Sequence, residues 1–373
     1  MIKSQALKTL TGAARLPLSH WSTQYPDYRA MGILCSYVPE ELIHAAGYTP
    51  VRLRGTTTPL RQVDAHLQSY TCALCRSTLD QLLGGELSFL EGTVFAHTCD
   101  TMQAQADLWR KNTGPSHFVD CIMQPANLGA PSARPYLLAE IERFRERLAS
   151  FSGQAITEAA VRASIALYDE TRQLVHSLQA VRGQLTTAAF FAIMDAAQRM
   201  PRERFNPLLA ELLSELETQT QHTDHGQTES GPRLFLVGAV LDEPRLLELV
   251  EELGARVTGD DLCSGSRHFA DKVGAQGQPI ENLADYYLQR PPCPTKLHPD
   301  HDPGHWLLDQ TSQASADGIV FTLEKFCEPH AFDYALVRPR LEEASMPCLL
   351  LEMEQIPSLE AMRTRLQAFI EML

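Results

Sequence analysis

Nowhere in its 373 residues does this chain carry a Gly-x-Gly-x-x-Gly turn or a P-loop. It therefore offers no evident nucleotide site of its own. Long apolar runs are missing too, so no segment reaches membrane-span length. The N-terminal MIKSQALKTLTGAARLPLSH lacks the apolar centre of an export signal, and the expectation is a cytoplasmic protein. Positive charge is in deficit. Lys and Arg number 32 against 46 Asp and Glu, for a net charge of −14, which disfavours nucleic acid and anionic membrane as large partners. There is no second Cys-x-x-Cys and no suitably spaced His pair, which weakens a structural-zinc reading. The nine cysteines are an odd number in a long chain, unlike a disulfide framework.

What is present is an ordinary globular composition, 44% hydrophobic, with length for two or three domains. From MGILCSYV to SHFVDCIMQ, strand-like and helix-like segments alternate, with PEELIHAAG, CRSTLDQLLGG and CDTMQAQADLWR as helices between strands. The alternation returns from RLFLVGAVL through DEPRLLELVEELG, ARVTGDDLC, DGIVFTLEKFC and MPCLLLEME to a closing amphipathic helix. EGTVFAHTCD and DGIVFTLEKFC share Gly-x-Val-Phe followed by a cysteine, which suggests a duplication. Alternating units of this kind favour mostly parallel sheets covered on both faces. Between the two regions the chain is helical, and Gln219 to Ser230 reads as a polar linker. The expected organisation is α/β: residues 24–134, a helical segment with linker over 135–230, and a second α/β domain over 231–373.

In parallel sheets, ligands bind at the carboxyl ends of the strands. Cys99 and Cys327 fall there, and Cys72 precedes a helix. Three thiolates meeting at one cleft suit an iron–sulfur cluster or zinc, whereas each cysteine alone reads as a small core residue. Cys121 and Cys348 lie within strands and are assigned to the core. Cys72 and Cys75 form a Cys-x-x-Cys, either a redox pair or half a metal site. GDDLCSGSRHF is a polar strand exit, a solvated turn on its plainest reading, in which Arg267 is suited to a phosphate.

Six segments, CSYVPEELIHAAGYTPVRLRG, SYTCALCRSTLD, FLEGTVFAHTCDTM, GDDLCSGSRHF, YYLQRPPCP and DGIVFTLEKFCEPHAFDY, follow the order found in the 2-hydroxyacyl-CoA dehydratase and benzoyl-CoA reductase family, which the chain resembles over roughly residues 32–355. The resemblance implies two Rossmann-like parallel-sheet domains with a helical middle segment. It implies a [4Fe–4S] cluster held by Cys72, Cys99 and Cys327; family members commonly lack a cysteine at the position of Cys75. Ser36 matches a small polar residue near the open iron, Glu40 and Glu41 match the start of the following helix, and Arg267 matches a recurrent arginine. The segment before the Cys-Asp pair lacks the extra cysteine of double-cubane relatives. The implied chemistry is radical. One electron enters an acyl-CoA thioester, the resulting ketyl radical anion expels the neighbouring hydroxyl, and a 2-enoyl-CoA results after proton loss. Implied partners are a paralogous subunit or second copy and an ATP-hydrolysing iron–sulfur activator. A reductase acting on an aromatic acyl-CoA, a non-catalytic electron carrier and a cluster-free binding protein are the alternatives.

Overall fold

The computed structural model describes residues 4–220, 231–242 and 244–373. From residue 221 on, the stretch that reads as a linker lies outside the described residues. Strands β1 (Ala30–Ile33), β2 (Thr49–Arg52), β3 (Leu90–Ala96) and β4 (Phe118–Ile122) form one sheet. Strands β5 (Arg233–Gly238), β6 (Arg256–Leu262), β7 (Gly318–Glu324) and β8 (Cys348–Met353) form another. The strand orders are β2-β1-β3-β4 and β6-β5-β7-β8, and every pair is parallel. The two sheets thus repeat one topology. β3 and β7, which carry the shared Gly-x-Val-Phe, occupy equivalent places. The expected α/β class with two parallel, Rossmann-like sheets is what the chain adopts.

The strands are parallel because helices cross over between them, and they are apolar because both faces are covered. Val94, Phe95 and Ala96 on β3, and Ile319 and Val320 on β7, are fully buried. Four helices fill the middle: Ala133–Ser152, Glu158–Ala180, Thr187–Arg199 and Arg202–Thr220. Gly153 ends the first in the left-handed region, φ 71°, where a side chain would be disfavoured. Thr157 and Thr186 start the next two by accepting the amides of Ala160 and Ala189 at 3.2 and 3.1 Å.

These middle helices join the halves. One continuous core takes in Leu10 and Trp21, Phe190 and Met194, Val51 and Phe95 of the first half, and Leu236 and Val320 of the second. Trp21 Nε1 also donates to the Arg199 carbonyl at 2.8 Å. The chain crosses back as well. Helix Pro279–Leu288 packs Leu283 and Tyr287 into a core with Ile33, Val38 and Leu137 of the first half.

Gly92 shows how tightly the first sheet closes. A Cβ there would stand 2.7 Å from Phe118 Cβ and 2.9 Å from its carbonyl oxygen, and neither atom has a flexible side chain to move aside. Gly92→Ala is expected to cost about 1–3 kcal/mol, read as a lower urea midpoint. An unchanged midpoint would show that β3 and β4 separate freely.

A thiol-lined candidate site between the two sheets

Cys72, Cys99 and Cys327 each occupy the residue before the first turn of a helix: Ala73–Leu83, Asp100–Asn112 and Glu328–Glu343. The helices follow from the crossover topology, and their positive ends face the carboxyl edges of the sheets. At the end of β7 the chain turns through Phe326, whose backbone is left-handed, φ 67°. For an aromatic residue this costs on the order of 1 kcal/mol, and it sets Cys327 at its helix start. The three thiols, from both halves of the chain, lie within charge range of one another. Burial, then the proximity of Cys72, Cys99 and Cys263, pushes the Cys327 thiol up to about 12. Burial likewise raises Cys99. First-turn amides of Cys75, Met102 and His330 pull the other way at Cys72, Cys99 and Cys327, although none closes a cap hydrogen bond.

Cys75 differs from its neighbour. It is 0% exposed and packs in the core. Its S–H donates toward Cys72, which raises Cys75 and lowers Cys72. Cys72 is therefore the more acidic thiol of the pair. Beyond it, Glu324 at the end of β7 faces the start of the same helix. Burial, then Asp242 and Cys72, pushes its carboxyl up to about 9. The halves are tied here by Gly55 donating to Asp242 at 2.9 Å and Gln355 donating to Thr58 at 2.8 Å.

Among the described residues no three His, Cys, Asp or Glu close on an ion-sized point. A cubane is larger than an ion and takes each cysteine on a separate iron, so a spaced set of soft thiols at helix starts fits it. Thiolate ligands make such a group anionic, which suits helix N-termini. Cys121 and Cys348 stand in β4 and β8 as expected, but only part-buried.

A second group of residues gathers where β1 and β6 end. β1 stops at Ile33, short of the strand that the sequence suggests through Val38, because Val38 donates back to the Cys35 carbonyl at 3.2 Å and turns the chain. Ser36 is buried, and its carbonyl accepts from Arg290 Nη1 at 2.6 Å. Nearby, Cys263 lies within charge range of both Cys35 and Cys293. Arg267 is bound through both arms of its fork to Asp261, at 2.7 and 2.5 Å, and also donates to Cys263 Sγ at 3.2 Å. Arg267 and Arg290 form one wall of a cavity of about 560 Å³, whose other sides include Arg182, Asp260 and Trp306.

Behind this edge runs a buried charge network. Glu41 Oε1 accepts from Arg172 at 2.5 Å, while its Oε2 meets no partner among the described residues. Glu40 accepts from Arg202 at 3.2 Å and pairs with His268 Nε2 at 2.9 Å. Burial opposes its ionisation, but His268, Arg202 and Arg172 hold it at about 2. Sequence reasoning points to Glu40, Glu41 and Arg267 but misses Arg52, Arg172, Arg202, His268 and Glu324. Arginines inside apolar segments, as in TPVRLRG, are the one signal that could have found them.

Two sheets of one topology, with three thiols at helix starts drawn from both halves of the chain, define an α/β protein with a repeated sheet order and a gathering of cysteines. The chain belongs to the family described as 2-hydroxyglutaryl-CoA dehydratase, D-component, which matches residues 35–373. It is 30% identical to the lactoyl-CoA dehydratase subunit beta of Anaerotignum propionicum, over 92% of this chain and 91% of that one. The (R)-phenyllactyl-CoA dehydratase beta subunit of Clostridium sporogenes is 27% identical, with 92% of each chain covered. A benzoyl-CoA reductase subunit of Thauera aromatica is 28% identical, over 88% of this chain and 86% of that one.

The network sets a pH response. Burial, against the pull of Glu40, lowers His268 from 6.5 to about 4. The unfolded chain therefore binds this proton more readily, and stability is lost as pH falls from 6.5 towards 4. The loss amounts to about 3 kcal/mol. Glu40 adds to it only below 4.5. Urea midpoints are expected to drop between pH 7 and pH 4.5, with a shallower drop in His268→Gln. Equal slopes in the two proteins would remove His268 from the account.

Proposed function

We propose that this chain is the iron–sulfur subunit of a 2-hydroxyacyl-CoA dehydratase-type enzyme, with a [4Fe–4S] cluster on Cys72, Cys99 and Cys327. As a family member it is a subunit of an acyl-CoA dehydratase or related reductase. The observation that carries the finer reading is the meeting of three soft thiols from both halves of the chain, each at a helix start. When bound, such a cluster supplies single electrons at low potential.

The chain's own residues have other tasks. Helix N-termini favour the negative charge of the ligand sulfurs. Their partial burial limits the access of water. Ser36, fixed through its carbonyl by Arg290, presents a hydroxyl at the end of β1 to orient substrate. Glu41, with Oε1 tied to Arg172 and Oε2 without a partner among the described residues, is the carboxyl group assigned to acid–base work. Arg267 and Arg290 line the approach for acyl-CoA, Arg267 as a charge already balanced by Asp261.

The chain has no nucleotide motif, so ATP-driven electron delivery falls to a separate iron–sulfur activator. Relatives named as beta subunits support a partner subunit, paralogous or a second copy. Among the described residues no helix is long and apolar enough to cross a membrane, consistent with a cytoplasmic setting. The 28% identity to a benzoyl-CoA reductase subunit favours, as second reading, a subunit that reduces an aromatic acyl-CoA.

After anaerobic purification, Cys72→Ala, Cys99→Ala and Cys327→Ala are each expected to lose most of their iron and brown colour, and Cys75→Ala to keep them. Full iron in Cys327→Ala would defeat the ligand set, and loss in Cys75→Ala with retention in Cys72→Ala would move the ligand to Cys75.

With its partner subunit, the protein is expected to be inert toward acyl-CoA and a mild reductant. Turnover should start on adding activator, ATP and a strong reductant. Turnover without activator or ATP would point to an ordinary hydratase.

A further inference from the structure

Arg52 is the last residue of β2, in register with Ile33 of β1. It is 2% exposed, yet its Nε and Nη1 meet no hydrogen-bond partner among the described residues. The carboxylates within its charge range are committed elsewhere. Glu40 serves His268 and Arg202, and Asp242 accepts the Gly55 amide. The remaining neighbours in charge range are the cation Arg54 and the thiols Cys35 and Cys263, and burial raises the Cys35 thiol despite Arg52.

The other buried arginines of this region are matched. Arg172 has Glu41, Arg202 has Glu40, Arg267 has Asp261, and Arg290 has two carbonyl oxygens. A buried cation with no partner is among the costliest features a fold can hold. A second buried polar atom without a partner, His268 Nδ1, belongs to a ring within charge range of Arg52. Cys263 is also within charge range of Cys327, so one thiol neighbours both Arg52 and the helix-start cysteines.

We propose that Arg52 forms a buried oxyanion site, its guanidinium donating to the thioester oxygen of an acyl-CoA. The ligand rests on the acyl-CoA reading above; the anion site itself does not. A fixed cation there favours any state in which that oxygen carries negative charge, and its arms reach an oxygen with no rearrangement of an existing ion pair.

Two measurements on the anaerobically purified protein with its partner subunit test this. In crystals soaked in sodium bromide, anomalous scattering should find bromide within hydrogen-bond reach of the Arg52 guanidinium, and none there in Arg52→Gln. Raman difference spectra with carbonyl-¹³C lactoyl-CoA, phenyllactyl-CoA or benzoyl-CoA should show the bound carbonyl band below its position in water. Arg52→Gln should return the band towards the solution value, and Arg52→Lys should keep part of the shift. Turnover should fall about 100-fold in Arg52→Gln, mainly in kcat, with iron content and melting temperature kept. No bromide at Arg52, a carbonyl band that Arg52→Gln leaves in place, or loss of iron in Arg52→Gln would overturn the proposal. Bromide on Arg52 in a protein that binds none of the three acyl-CoAs would uphold the anion site and count against the acyl-CoA reading.

Discussion

Parallel strands deliver their carboxyl ends to one edge, and the helices that follow them begin there. Everything about the cleft follows from this constraint being met twice. Each sheet has the order second, first, third, fourth strand. β3 and β7 therefore end at matching places and hand the chain to helices begun by Cys99 and Cys327. Cys72 reaches the same cleft from the helix after β2. A cysteine far away in sequence is thereby brought within charge range of two others, with three helix N-termini around them.

Such an edge is rich in buried polar groups, and burying charge is tolerable only where it is matched. The matching here is largely between elements distant in sequence: Arg172 of the middle helices with Glu41, Arg202 with Glu40, and Arg290 with the Ser36 carbonyl. These contacts fix the helix after β1 against the helical middle and the second sheet, so the geometry of the cleft and the docking of the two halves are the same set of interactions. Against this background Arg52 stands out as a charge that the chain leaves unmatched.

The sheets are legible in the sequence because buried parallel strands are near-continuous apolar runs separated by helix stops such as Gly47 and Gly254. The cysteines are legible because their segments resemble known motifs, not because of their spacing. Other features cannot be read. Helix Gln5–Arg15, helix Thr187–Arg199 and helix Pro279–Leu288 bury their apolar faces against elements far away in the chain, so local periodicity does not say which core each one joins. β1 reads too long because Cys35 to Val38 is as apolar as a strand, while its turn is set by a backbone bond and by Arg290. The ion-pair partners of Glu40 and Glu41 lie more than a hundred residues away, and no local pattern announces them.

The central claim is that the cleft holds a cubane cluster, and iron and acid-labile sulfide measured on the anaerobically purified wild-type chain test it most directly. The account predicts one cubane's equivalent of each per chain, with a brown chromophore that bleaches in air. Protein that is folded and colourless, with neither iron nor sulfide above background, would contradict it.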